Sequence, residues 1–283
     1  MKLCIATIIK DEQLYLDNFI DYHLKLGIDH IFIFEDVDSS SHKDITDFYE
    51  DKVTLLSVRD LFPSELSIKP TQLNAYIRML GYIKLNYPCD WCFGIDVDEY
   101  ITLALKRDKL EDVMSRYSNY TALLLKCVNY GADGRVSIPN YSRMKITDAF
   151  TKKCSPMKVD NEKNTTKIAY NMNVFNKSFI YNHHITKDDV GWCFPNFTRD
   201  LKKPSCEKIY IRHYITKSWM EYVWKMECRG QYTFHTTYDS FFEANRDMIG
   251  MKDELMSQID SLKERFKMRP LKPSIKKIRV KNE

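Results

Sequence analysis

Two aspartates set two residues apart suggest where chemistry is done. Asp96 and Asp98 stand in the stretch Trp91-Cys92-Phe93-Gly94-Ile95-Asp96-Val97-Asp98-Glu99-Tyr100, where an apolar run of strand length ends in carboxylates. Side chains two apart on a strand share a face, and a turn beginning after Val97 still lets both oxygens converge on one hard cation. In an open α/β sheet, ligands bind outside the carboxyl ends of the strands, so a metal ion and a phosphate group could meet there. The plain alternative is a strand that stops at a polar turn, for which Asp is a common residue. The apolar run, the third acid at Glu99 and the aromatic Tyr100 favour the chemical reading.

Other polar groups recur at strand ends. Asp11-Glu12 and Glu35-Asp36 each close an apolar run, where acids can accept hydrogen bonds from a base or a ribose hydroxyl. Helix capping by Asp11 and turn formation by Asp36 explain them equally well. The loop Asn129-Tyr130-Gly131-Ala132-Asp133-Gly134-Arg135 brackets an acid between two glycines, which serves either a close approach to ligand or an ordinary turn. His213, Lys217, Lys225 and Arg229 cluster around a strand-to-helix junction, an arrangement suited to anions and equally consistent with a solvated basic helix face. His23 lies on an apolar helix face and reads as a packed core histidine. His183 and His184 are adjacent on a strand, so both cannot easily serve one site.

The elements that must hold these groups alternate. Residues 3–10 read as a strand, 13–27 as a helix capped by Gly27, 31–34 as a second strand and 53–58 as a third. A helix over 72–85 stops at Pro88, the strand of the two aspartates follows, and a polar helix near 108–117 leads to a buried strand over 121–128. Residues 150–166 are polar enough for a loop ordered by substrate, and strands are expected near 167–175, 178–185 and 209–214. Ser218-Trp219-Met220-Glu221 has the spacing of a capping box opening a helix. Strands alternating with helices predict an α/β fold with a Rossmann-like, mostly parallel central sheet and helices on both faces.

Composition sets the bounds. A chain of 283 residues, 44% hydrophobic and 13% aromatic, can fill a sizeable core, and a net charge of +4 is too small to imply nucleic acid. No stretch has the apolar length of a membrane span, and the N-terminal run lacks a cleavage site, so a cytoplasmic protein is expected. Eight scattered cysteines suit buried thiols, and the single Cys89-Asp90-Trp91-Cys92 spacing is a weak basis for zinc or redox chemistry. From Lys263 to Lys281 the chain is strongly basic; the plain reading is a solvated tail, and the alternative is peripheral contact with an anionic membrane face.

Several segments resemble one family in order. Lys10-Asp11-Glu12, Tyr15-Leu16, Phe19-Ile20-Asp21-Tyr22-His23, Leu26-Gly27-Ile28 and Phe34-Glu35-Asp36 are similar to the opening of glycosyltransferase family 92 and related family 2-like enzymes. Trp91 to Ile101 resembles their Asp-x-Asp strand, Tyr130 to Gly134 their glycine loop, and Arg212 to Ser218 with Lys225 and Arg229-Gly230 their H-Y-x-x-K-S … K … R-G segment. The chain departs from the usual pattern at Asp11, where Asn is common, and at Ala132, which leaves the acid of the loop one position later at Asp133.

That resemblance implies a GT-A fold with a C-terminal helical extension. The glycosyltransferase domain would span 1–235, as a nucleotide-binding half over 1–130 and an acceptor and metal-completing half over 131–235, with 236–283 as helical extension and basic tail. It implies an inverting, metal-dependent hexosyltransferase using a UDP-sugar, by default UDP-galactose. The acceptor would be a glycan or lipid-linked glycan of bacterial surface polysaccharide. Asp96, Asp98 and His213 would hold Mn2+ or Mg2+; Lys10, Glu12, Asp36, Gln72, Asp96, Lys217 and Arg229 would bind the nucleotide sugar. Asp133 is the expected base, with Glu99 and Asp189 as weaker candidates. The rival readings are a phosphatase with Asp96 as nucleophile, disfavoured by Tyr100 at its signature position, and a catalytically silent nucleotide-sugar-binding protein.

Overall fold

The computed structural model describes residues 1–35, 42–49, 51–62, 72–120, 122–154, 166–173, 205–227 and 237–268. Asp36, His183, His184, Asp189, Arg229 and the tail beyond Met268 lie outside the described residues. Eight strands form one sheet in the order β3-β2-β1-β4-β7-β6-β8-β5. These are β1 (Leu3–Ile9), β2 (His30–Glu35), β3 (Val53–Leu56), β4 (Trp91–Gly94), β5 (Glu99–Leu103), β6 (Ala122–Asn129), β7 (Thr166–Asn171) and β8 (Ser205–His213).

The first half is parallel throughout: β1 runs with both β2 and β4, and β2 with β3. Beyond β4 the sheet is mixed. The β4/β7, β6/β7 and β5/β8 pairs are antiparallel, whereas β6 and β8 run parallel. An α/β fold of GT-A type was expected, and the parallel half with its mixed continuation meets that expectation. The strand the local pattern hid is β5, because its partner β8 comes more than a hundred residues later.

Alternation along the parallel strands explains the layers. Leu3, Ile5, Ile9, Ile31 and Ile33 face one core, shared with helix α1 (Leu16–Leu26), while Cys4, Ala6, Phe32 and Phe34 face a second. That second face is covered by Tyr76, Met79, Leu80 and Ile83 of the helix Gln72–Asn86. Phe241, Phe242, Met248, Leu255 and Phe266 of the C-terminal helices join the first core. Among the described residues no helix is long and apolar enough to cross a membrane.

Helix α1 ends as its sequence predicts. Gly27 takes φ +108°, a left-handed cap that a side chain would strain, and its N–H returns to the last turn. Of the two readings open for Asp11, helix capping is not the one realised: the N-cap is Tyr15, with no side-chain cap. The Glu12 carbonyl accepts the N–H groups of Tyr15 and Leu16, and Asp11 itself sits in a left-handed turn at φ +53°. His23 is the core histidine the apolar face predicted. Its Nδ1 faces the Phe19 carbonyl at 2.8 Å and its Nε2 accepts the N–H of Ile101, so the ring is neutral and grips β5. Tyr22 donates to the Ile101 carbonyl beside it.

Candidate active site

The register of β1 on β4 sets Ala6 beside Gly94, and that of β1 on β2 sets Ile9 beside Glu35. Lys10, Glu12, Glu35 and Asp96 therefore leave the sheet at one edge. Buried His42 ties two of these ends together: its Nε2 accepts the Glu12 N–H at 3.0 Å and its Nδ1 meets Glu35 Oε1 at 2.6 Å. No local pattern singled out His42, because its partners come from two other segments. Gln72 is the first residue of its helix, and its side chain lies outside the described part of the structure.

After β4 the chain makes a tight turn rather than extending the strand. The Glu99 N–H returns to the Asp96 carbonyl at 3.0 Å, and the Asp96 N–H donates to Glu99 Oε2 at 3.0 Å. Val97 turns inward and is buried. The two aspartates consequently face different partners. Asp96 Oδ2 lies 2.8 Å from Lys167 Nζ, which also approaches Glu99 Oε2 at 3.0 Å. Lys167 projects from β7 and has no exposed side-chain surface, and neither has Glu99. A lysine inside the apolar strand Thr166–Asn171 was the signal that sequence reading passed over.

Asp98 has its own set of partners. Lys217 Nζ is 3.0 Å from its Oδ2, Lys225 Nζ 3.8 Å from the same oxygen, and His213 Nε2 3.8 Å from its Oδ1. Helix and strand bring these together: β8 ends at His213, the Tyr214 N–H binds the Asp98 carbonyl, and the helix Trp219–Glu227 supplies Lys225. Ser218 and Glu221 start that helix through reciprocal contacts, Ser218 Oγ to Glu221 Oε2 at 2.7 Å and Glu221 N–H to Ser218 Oγ at 3.4 Å, as the capping box predicted. Lys217 holds φ +54°, which is costly for a side-chain-bearing residue, and lies over the Tyr15 ring at 4.4 Å. Lys217 is buried, and its strained backbone is held where its ammonium meets Asp98.

The protonation states follow from these neighbours. Burial alone would raise the Asp98 carboxyl, but Lys217, Lys225 and His213 outweigh it and hold the group well below the usual carboxylate range. Burial brings His213 down to about 4, against the pull of Asp98, so its ring is neutral near pH 7. Burial pushes Glu99 up, and Lys167 takes back part of that rise.

An ionised carboxylate beside a neutral imidazole is a donor set suited to a divalent cation. Among the described residues, however, no three His, Cys, Asp or Glu side chains gather closely enough to enclose one. The expected trio is thus divided: Asp98 and His213 are brought together, and Asp96 is turned to Lys167. Two protein donors fit a site completed by substrate phosphates, as magnesium sites commonly are.

The glycine loop is held from two sides. Asp133, at φ +52°, accepts hydrogen bonds from Thr151 N–H and Oγ1 and from Lys152 N–H, at 2.6, 2.8 and 2.9 Å. Asn245, just after the helix Tyr238–Ala244, accepts the Ala132 N–H and donates to Thr216 Oγ1 and the Phe241 carbonyl. Asn245 thereby joins the glycine loop to the turn that carries Lys217.

Residues 1–249 match the sequence profile of Glycosyltransferase family 92. The chain belongs to that family. A glycosyltransferase family 92 protein of Ricinus communis is 22% identical over 224 residues, covering 77% of this chain and 36% of its own length. One of Oryza sativa subsp. japonica is 24% identical over 152 residues, covering 53% and 24%. The chain therefore spans about a third or less of the length of these family 92 relatives. Among solved structures, glucosyl-3-phosphoglycerate synthase from Mycobacterium tuberculosis with Mn2+ and UDP-glucose is similar at a TM-score of 0.39 and 13% identity, over 72% of this chain and 67% of that one.

Proposed function

We propose that this family 92 chain is a metal-dependent inverting glycosyltransferase that moves a sugar from a nucleotide-sugar donor to an acceptor hydroxyl. One observation carries the reading: Asp98 and His213, far apart in sequence, meet at 3.8 Å with Lys217 and Lys225 beside them. A cation held by Asp98 and His213 supplies Lewis-acid stabilisation of the leaving diphosphate. Lys217 and Lys225 place positive charge where phosphate oxygens arrive, and Lys10 and Glu12 leave the sheet at the same edge to meet the nucleoside. UDP-galactose is the first donor to test, and a glycan or lipid-linked glycan the first acceptor class.

The base for the acceptor hydroxyl is assigned to Asp133, which also holds the loop at Thr151 and Lys152. Asp133→Asn separates the two roles, because an amide oxygen still accepts hydrogen bonds but takes no proton. A large loss of turnover with UDP affinity kept is expected, and unchanged turnover removes Asp133 as the base. The phosphatase alternative is disfavoured by Tyr100 at its signature position and by the three strands that precede β4.

The deciding experiment is a screen of nucleotide sugars for hydrolysis and transfer with and without Mn2+, together with calorimetric binding of UDP. His213→Ala should lower metal-dependent turnover about a hundredfold or more. Turnover that is indifferent both to Mn2+ and to this substitution overturns the cation reading, and binding of donor without any turnover identifies a silent protein.

A further inference from the structure

The two oxygens of Glu99 do different things. Oε2 meets Lys167 Nζ at 3.0 Å and accepts the Asp96 N–H at 3.0 Å. Oε1 is buried and has no hydrogen-bond partner among the described residues. Nδ1 of His213 lies 3.9 Å from it. This meeting is built into the sheet, since the antiparallel register of β5 on β8 sets Glu99 directly opposite His213. The other ring nitrogen, Nε2, is the one 3.8 Å from Asp98.

A neutral imidazole carries one ring proton, and the nitrogen that lacks it is the one able to coordinate a metal. Carboxylates commonly hold the second N–H of a metal-bound histidine and thereby fix its tautomer and orientation. A buried acceptor without a partner is costly, so a donor within a small side-chain rotation should be taken.

We propose that Glu99 is a positioning residue: it holds the His213 proton on Nδ1, so that the Nε2 lone pair is presented beside Asp98. This rests on the reading of Asp98 and His213 as the cation site. Lys167 and the Asp96 N–H, both on Oε2, favour Glu99 as the acceptor; a proton on Oε1 would instead donate to Nδ1 and leave the ring proton on Nε2. The buried ion pair of Lys167 thus bears indirectly on the histidine, through one carboxylate that both share.

The test begins with the unmodified full chain, labelled with 15N-histidine and kept metal-free by chelator, the His213 signals being assigned with His213→Gln. Protonated Nδ1 and unprotonated Nε2 are expected; the opposite tautomer overturns the proposal. Calorimetry of Mn2+ in the presence of UDP then compares wild type with Glu99→Gln, for which affinity about ten- to a hundredfold weaker is expected. A folded variant that binds Mn2+ within about twofold of wild type also overturns it. If Glu99→Gln does not fold, the wild-type tautomer alone decides. If wild type binds no Mn2+, the cation reading fails, and the tautomer still shows whether Glu99 holds the ring.

Discussion

The two halves of the sheet handle charge in opposite ways. In β3-β2-β1-β4 the strands fill two apolar cores, and the acids Glu12, Glu35 and Asp96 wait where those strands end. In β7-β6-β8-β5 charge enters the interior itself: Lys167 and Glu99 have no exposed side-chain surface, and His213 and Asp98 are only 15% and 13% exposed. A parallel half made of successive strand-helix units needs little more than apolar faces. A half that gathers a site from distant segments buries acids, and it must bring the opposite charges with them.

The sharpest way to break that contrast is to remove the internal cation. Lys167→Met leaves Asp96 and the wholly buried Glu99 without their shared ammonium, and losing one partner of a buried pair costs about 3–5 kcal/mol. A urea titration should show the midpoint falling accordingly, whereas Lys25→Met, on the exposed α1 pair with Asp21, should move it by less than about 1 kcal/mol. Equal effects at the two sites would erase the distinction between the halves.

The same contrast explains what could be read from the sequence. Consecutive units announce themselves: the strand Leu3–Ile9, the helix Leu16–Leu26 with its Gly27 cap, and the helix Gln72–Asn86 all lie where apolar periodicity places them. The site half does not announce itself, because β5 is recognised only once β8 is beside it. Asp98, His213 and Lys217 were anticipated together through family resemblance, and geometry brings them to one place. Lys167, His42 and Asn245 went unread, since each acts on residues far from it in sequence and sits in no local motif. For the two aspartates, the pattern allowed either a shared strand face or a turn after Val97. The chain turns there, with the Glu99 N–H returning to the Asp96 carbonyl, and Asp96 meets Lys167 while Asp98 meets Lys217.

A smaller effect sharpens the comparison where the halves touch. His23 of α1 accepts the Ile101 N–H of β5, and burial drives its folded pKa down to about 3. The unfolded chain takes up that proton near pH 6.5, whereas the folded chain does not until about pH 3. This contribution is therefore complete above about pH 6.5 and is lost as pH falls below it, by about 2 kcal/mol at pH 5. Glu99, raised by burial, moves the total in the opposite sense, so the single-site effect is read as a difference. The stability gap between wild type and His23→Gln should narrow by about 2 kcal/mol from pH 7 to pH 5. A gap that stays constant would mean that the ring is not held neutral.

The smallest expected effect tests how tightly Asn245 is joined to the site half. A Cβ on Gly131 would stand 2.5 Å from Asn245 Oδ1 and 3.1 Å from the Cβ of Cys154. Asn245 cannot simply swing aside, because its amide also donates to Thr216 and Phe241. Gly131→Ala should therefore cost about 1–2 kcal/mol and loosen both the glycine loop and the Lys217 turn. In Asn245→Ala the oxygen that would clash is gone, at the cost of three hydrogen bonds. Adding Gly131→Ala to that background should then cost clearly less than it does in wild type, a coupling that a double-mutant cycle in urea measures directly. Additive losses would mean that the 3.1 Å contact with Cys154, and not Asn245, is what excludes a side chain at Gly131.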